Sequence, residues 1–137
     1  MTSKLFMNVR EKLSLCYYAS STAISPKAMM VVSCGIDSGD YEAAKEEILR
    51  QLRLCQEGQI EAHELEAARK AIMSGLDSLS DSLGAMEDFS SFQVMSGFTM
   101  DPAQYRRIVE AATPADIVPI AQKVKLDTIF FLKGAAQ

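Results

Sequence analysis

Two residues early in this sequence have the types and spacing to hold a peptide carbonyl: Arg10 and Tyr17, seven positions apart. Arginine presents five N–H donors in a planar fork and stays charged. Tyrosine adds one hydroxyl donor on a rigid ring. Preorganised donors of this kind stabilise the charge that develops on a carbonyl oxygen when a peptide bond is attacked. A plainer reading makes Arg10-Glu11-Lys12 a solvated helix end and Tyr17 an ordinary strand aromatic, and spacing alone favours it.

The second place where chemistry could reside is Glu61-Ala62-His63-Glu64-Leu65, which carries the chain's single histidine. A zinc peptidase helix of the form H-E-x-x-H needs a second histidine four residues on, where this chain has Ala67. The inverted form H-x-x-E-H finds its glutamate at Glu66 but again meets Ala67. Catalytic zinc takes three protein ligands and an open position. One histidine among helix glutamates does not supply them, so His63 reads as an exposed helix residue. No G-x-S-x-G, P-loop or G-x-G-x-x-G occurs. The serines between Ser74 and Ser82 read as a solvated helix face, and most of the eight methionines as core filling.

Composition narrows the remaining classes. A length of 137 residues fits a single domain, 1–137, with 48% hydrophobic and 23% charged residues. The net charge of −4, with Lys and Arg scattered, argues against a nucleic-acid surface. No apolar run approaches the roughly 18 residues that span a bilayer. No leader pattern opens the chain, so the expected compartment is the cytoplasm. Cys16, Cys34 and Cys55 are too dispersed for a zinc cluster and read as buried free thiols.

The elements that must position Arg10 and Tyr17 follow from periodicity and punctuation. Ser3 can cap a first helix with Leu5, Phe6, Val9 and Leu13 on its inner side. Residues 15–24 and 28–36 read as two antiparallel strands joined at Ser25-Pro26-Lys27. Asp37 to Asp40 break the second strand. A helix over 41–57 carries the stripe Tyr41, Ala44, Ile48, Leu52 and Cys55, and Gly58 stops it. A longer helix over 62–82 follows, with bends expected at Gly75 and Gly84, and residues 86–95 continue helically. Asp101-Pro102 and Thr113-Pro114 each pair an N-cap with a first-turn proline and open two short helices. Leu126 to Leu132 reads as a buried closing strand. The order is α+β: an antiparallel sheet, three-stranded in this chain, with helices packed on one face. A helix in front of the first hairpin implies a further strand before it, and hence an open sheet edge.

These segments resemble the C-terminal part of the insulinase/pitrilysin family of zinc metallopeptidases. Its pattern L-x-x-x-x-R-E-x-x-x-L-x-Y is matched by Leu5, Arg10, Glu11, Leu15 and Tyr17. The run Glu61 to Lys70 looks like that family's E-L-x-x-A-K helix, and Thr113 to Ile117 like its T-x-x-D-I/V helix start. Leu15-Cys16-Tyr17-Tyr18-Ala19 is most similar to the small bacterial members. The resemblance implies an insulinase-like half domain whose first strand lies outside the chain. It implies that Arg10 and Tyr17 bind the substrate carbonyl and oxyanion, and that zinc sits in a zinc-bearing N-terminal half or a paralogous subunit. The partners expected are that half, a peptide substrate and a second copy of the fragment, with no nucleic acid or membrane. The chain alone is expected to be inactive. The competing expectation is a non-catalytic scaffold or partner subunit of the same fold.

Overall fold

Caps and reversals decide where the elements of this chain begin and end. The computed structural model describes residues 3–134, so residues 1–2 and 135–137 of the expected domain lie outside it. Ser3 caps the first helix as expected, its hydroxyl accepting the Phe6 N–H at 3.2 Å. The helix widens at once and is π-helical over Phe6–Lys12. The strands β1 (Tyr18–Ile24) and β2 (Met29–Gly35) pair antiparallel, with Tyr18 opposite Gly35 and Ile24 opposite Met29. The Tyr18 ring lies over Gly35, where an added Cβ would meet it at 2.5 Å, so a larger residue there would force the ring to move.

Five α-helices follow: α1 (Tyr41–Gln56), α2 (Ala62–Asp77), α3 (Leu83–Met95), α4 (Pro102–Ala111) and α5 (Pro114–Ala121). Gly58, at φ +78°, ends α1 as expected. Asp101 and Gln104 cap α4 reciprocally, at 2.7 and 2.9 Å. At α5 the Asp116 carboxylate accepts both the N–H and the hydroxyl of Thr113, at 2.9 and 2.6 Å. The expected long helix over 62–82 is instead broken. It ends at Asp77, passes through a single 3₁₀ turn at Leu79–Asp81 and restarts where the Ser82 hydroxyl accepts the Ala85 N–H at 3.3 Å. A capping serine wins over the apolar periodicity that ran through it.

The core sits at the junction of first helix and hairpin. Val9 is fully buried, with Cys16 and Ala19 beside it and Leu5, Leu15, Cys34, Ile36 and Ile48 packed around. Leu13 is half exposed because it falls beyond the last helical turn. Between the first helix and α1 runs a polar seam. Asn8 donates to Gln51 at 3.3 Å, and Gln51 donates in turn to Glu47, a carboxylate that Arg50 grips with two bonds of 2.7 Å. Helix α5 locks to α1 through the Gln56 amide, which donates to the carbonyls of Ala121 and Val124, both at 3.1 Å. Helix α4 is tied to α2 by Arg69, which donates to the Val109 and Ala112 carbonyls at 3.2 and 2.9 Å.

Two expectations are corrected. The sheet is two-stranded among the described residues, and 126–132 joins no ladder. An apolar β-prone run signals a need for burial and pairing, but it does not carry the partner. The methionines are not mainly core: Met29, Met30, Met86 and Met95 are exposed, on surfaces that no described element covers.

One long-range ion pair fastens the first helix to the rest. The Lys4 ammonium lies 2.9 and 2.7 Å from the two oxygens of Glu64 and also donates to the Gln59 carbonyl at 3.0 Å. The same carboxylate accepts the Glu61 N–H at 3.0 Å at the start of α2. Burial opposes ionisation of Glu64, but Lys4 and that N–H together outweigh it and hold its pKa below the usual value. A lowered folded-state pKa stabilises the fold above the ordinary carboxylate range, and that contribution fades as pH falls through the folded value. Glu64→Gln should therefore cost about 1–3 kcal/mol at neutral pH. Urea unfolding at a series of pH values should show the gap between wild type and variant closing below about pH 4. A gap unchanged down to pH 2 would contradict this role.

Candidate functional site

The chain reverses between Arg10 and Tyr17. The Arg10 carbonyl accepts the Ser14 N–H at 2.9 Å, and the Val9 carbonyl accepts the Leu15 N–H at 3.1 Å. Ser14 makes the turn in the left-handed region, at φ +51°, where glycine is the usual occupant. Cys16 then points inward against Val9, and the Tyr17 N–H joins the end of β2 by donating to the Gly35 carbonyl at 2.7 Å. Arg10 directly follows the buried Val9, and Tyr17 directly follows the buried Cys16. The arginine thus stands in the last part of a helix and the tyrosine at the threshold of a strand, as the sequence pattern requires.

Their side chains have local partners. The Arg10 guanidinium carbon sits 4.7 Å from the centroid of the Phe6 ring, and one nitrogen lies 3.7 Å from the Glu11 carboxylate. The Tyr17 ring is 70% exposed, and its hydroxyl donates to Asp37 Oδ1 at 3.2 Å. That hydrogen bond, followed by the charge on Asp37, raises the Tyr17 pKa above its ordinary value and keeps the phenol protonated. Among the described residues no hydrogen bond or ring contact joins Arg10 to Tyr17. Arg10 does project its charge onto Cys16, the residue before Tyr17, partly offsetting the effects of burial and of Cys34, which raise that thiol's pKa.

The chemistry open to this arrangement is donation. The Arg10 guanidinium makes no hydrogen bond among the described residues, only the longer contact to Glu11, so its fork remains available beside the Phe6 ring. Tyr17 has a single O–H, already given to Asp37, and must swing off that carboxylate before it can donate elsewhere. An exposed hydrogen bond of this kind costs little to exchange. Next to the reversal opens a shallow groove of about 530 Å³ whose walls include Leu13, Leu15, Glu47, Arg50 and Arg53.

Asp37, a partner of the site, reads in the sequence only as part of a run that breaks the strand and supplies an N-cap. A carboxylate just past a strand end, facing a tyrosine at the start of its antiparallel partner, was the available signal. His63 lies exposed in the first turn of α2, 3.1 Å from Glu61, as expected. Among the described residues no three His, Cys, Asp or Glu side chains gather into a metal-binding group, and no helix is long and apolar enough to cross a membrane. One exposed imidazole beside a surface carboxylate is not a donor set that fits zinc. The three cysteines are free, Cys16 buried and the other two half-buried.

With the helix–strand junction and its Arg–Tyr pair in place, the comparison with known proteins becomes decisive. Residues 1–72 match the family described as "Peptidase M16 inactive domain". The chain belongs to this family. A curated relative of this M16 domain, the "Probable inactive metalloprotease YmfF" of Bacillus subtilis (strain 168), is 31% identical over 132 residues, which is 96% of this chain and 31% of that protein. A solved structure, "Crystal structure of a conserved protein from Enterococcus faecalis V583", shares 30% identity at a TM-score of 0.77 and covers 88% of this chain and 28% of its own. This M16 domain thus spans about a third of the length of the proteins it matches. The resemblance to metallopeptidases read from Arg10, Tyr17 and the helix starts is borne out.

The Tyr17–Asp37 bond is directly testable in the domain. Asp37→Asn should bring the Tyr17 phenol back toward the ordinary tyrosine pKa of about 10. A ¹³C-tyrosine NMR titration would follow it. A Tyr17 titration unmoved by the substitution would mean that the two side chains do not meet in solution.

Proposed function

We propose that this domain is the substrate-gripping, zinc-free portion of a zinc-dependent metallopeptidase of the insulinase/pitrilysin type. Arg10 holds a backbone carbonyl of the peptide, and Tyr17 donates to the oxyanion of the tetrahedral intermediate. Zinc and its general base reside in a zinc-bearing half or a paralogous subunit. This chain supplies neither the zinc nor the general base; its own residues grip the peptide and stabilise the oxyanion. The three free thiols fit a reducing compartment and so a cytoplasmic location.

The observation that carries this reading is the reversal at Ser14, in a member of this family. It holds Arg10 and Tyr17 outward from one buried junction, one with an open donor fork and the other with an exchangeable hydroxyl. A second reading, a non-catalytic scaffold or partner subunit, is favoured by the word "inactive" in the descriptions of both the family and the Bacillus relative.

The test is peptide cleavage by this chain combined with a zinc-bearing half. Removing one preorganised oxyanion donor costs about a hundred- to a thousandfold in turnover. Tyr17→Phe, which removes only the hydroxyl, should therefore lower kcat on that scale and leave thermal stability unchanged. Arg10→Lys should also fail, because an ammonium lacks the planar fork. Cleavage that survives both substitutions, yet is abolished by replacing the zinc half's glutamate, would overturn the roles and favour the scaffold.

A further inference from the structure

The segment after α5 is the least partnered stretch of the molecule. Among the described residues, 125–134 enter no helix and no ladder, and their backbone makes no hydrogen bond to the rest of the chain. Their exposures nevertheless alternate: Ile129 45%, Phe130 84%, Phe131 38%, Leu132 82%. A period of two belongs to an extended strand leaning on its neighbours with one face only. What it leans on is α1, where the Phe131 ring stacks on Tyr41 with centroids 4.5 Å apart. Phe130 and Leu132 therefore stand bare on the other face. Thr128 to Phe131 is a run of β-branched and aromatic residues without proline or glycine, which favours pairing. An exposed strand of this kind is a template for association.

We propose that residues 127–133 pair with the same residues of a second copy of this chain, antiparallel, about a two-fold axis through Phe130. Symmetry limits the register. Hydrogen-bonded and non-hydrogen-bonded pairs alternate along an antiparallel ladder, so a two-fold axis must pass through a residue opposite its own copy. Charge then selects among the allowed registers. Centring on Ile129 would set Lys125 against Lys133 at both ends and leave Asp127 facing Phe131. Centring on Phe130 sets Asp127 of each copy against Lys133 of the other, twice by symmetry. The remaining pairs are Thr128 with Leu132, Ile129 with Phe131, and Phe130 with Phe130, the last two of kinds that stabilise a sheet across strands. A single strand pair forms a small interface, so the dimer should be weak and concentration-dependent. This inference does not rest on the proposed role of Arg10 and Tyr17.

Sedimentation equilibrium of the 137-residue chain across a wide concentration range tests it, with circular dichroism confirming that each variant is folded. The wild type should move from monomer to dimer as concentration rises. Phe130→Lys should abolish the dimer. Asp127→Lys and Lys133→Asp should each weaken it about tenfold, and the double variant, which restores opposite charges across the pair, should recover the wild-type constant. A wild type that stays monomeric throughout would overturn the proposal. So would a dimer indifferent to Phe130→Lys, a double reversal that fails to recover, open-ended aggregation, or protection of the 127–133 amides only when a different polypeptide is added.

Discussion

The burial of Val9 against Cys16 and Ala19 is the constraint on which the rest of this molecule depends. Among the described residues Val9 is the one large side chain with no exposure, and it sits where the first helix meets the hairpin. Burying it and Cys16 together closes the reversal over residues 10–17. The next residue along at each place is then turned away from the core: Arg10 after Val9, Tyr17 after Cys16. The outward placement of Arg10 and Tyr17 is a by-product of two adjacent inward contacts. The π-helical winding over Phe6–Lys12 belongs to the same device. Wide helical turns of this kind are uncommon and tend to mark functional places.

A core this small cannot hold the elements by apolar packing alone. Among the described residues, buried apolar residues besides the Val9 cluster come down to Ala44 and Ala121. Side chains bonded to distant backbone carry the remaining attachments. Arg69 ties α4 to α2, Gln56 ties α5 to α1, and Lys4 ties the first helix to the start of α2. The Arg69 and Lys4 bonds are charge-assisted, which makes them stronger than the neutral Gln56 bonds. The apolar surface left over lies on α3, on the outer face of the hairpin and along 126–132, where Leu83, Val94, Met30 and Phe130 are exposed.

Local chemistry was legible in the sequence wherever one residue satisfies another a few positions away. Asp101-Pro102 and Thr113-Pro114 announced the starts of α4 and α5, Gly58 announced the end of α1, and Ser3 the first cap. The placement of Arg10 and Tyr17 on either side of a helix–strand junction was legible for the same reason. What escaped is whatever depends on residues far apart. The Lys4–Glu64 pair spans sixty positions, and Gln51 is buried beside Glu47 on a helix face that periodicity assigns to apolar residues. Residues 126–132 are the instructive miss. Their apolar, β-branched character was real, but strand formation is settled by a partner's backbone, and among the described residues none reaches them.

The central claim is that Arg10 and Tyr17 act on the same substrate group, because one buried junction holds both. A double-mutant cycle on kcat/KM, using Arg10→Lys, Tyr17→Phe and the double variant in complex with a zinc-bearing half, addresses this most directly. Residues that share a partner fail to add, with interaction energies of about 0.5 kcal/mol or more. The account predicts that the double variant loses less than the sum of the single losses by at least that margin. Losses that add to within about 0.3 kcal/mol would show two independent residues and contradict it.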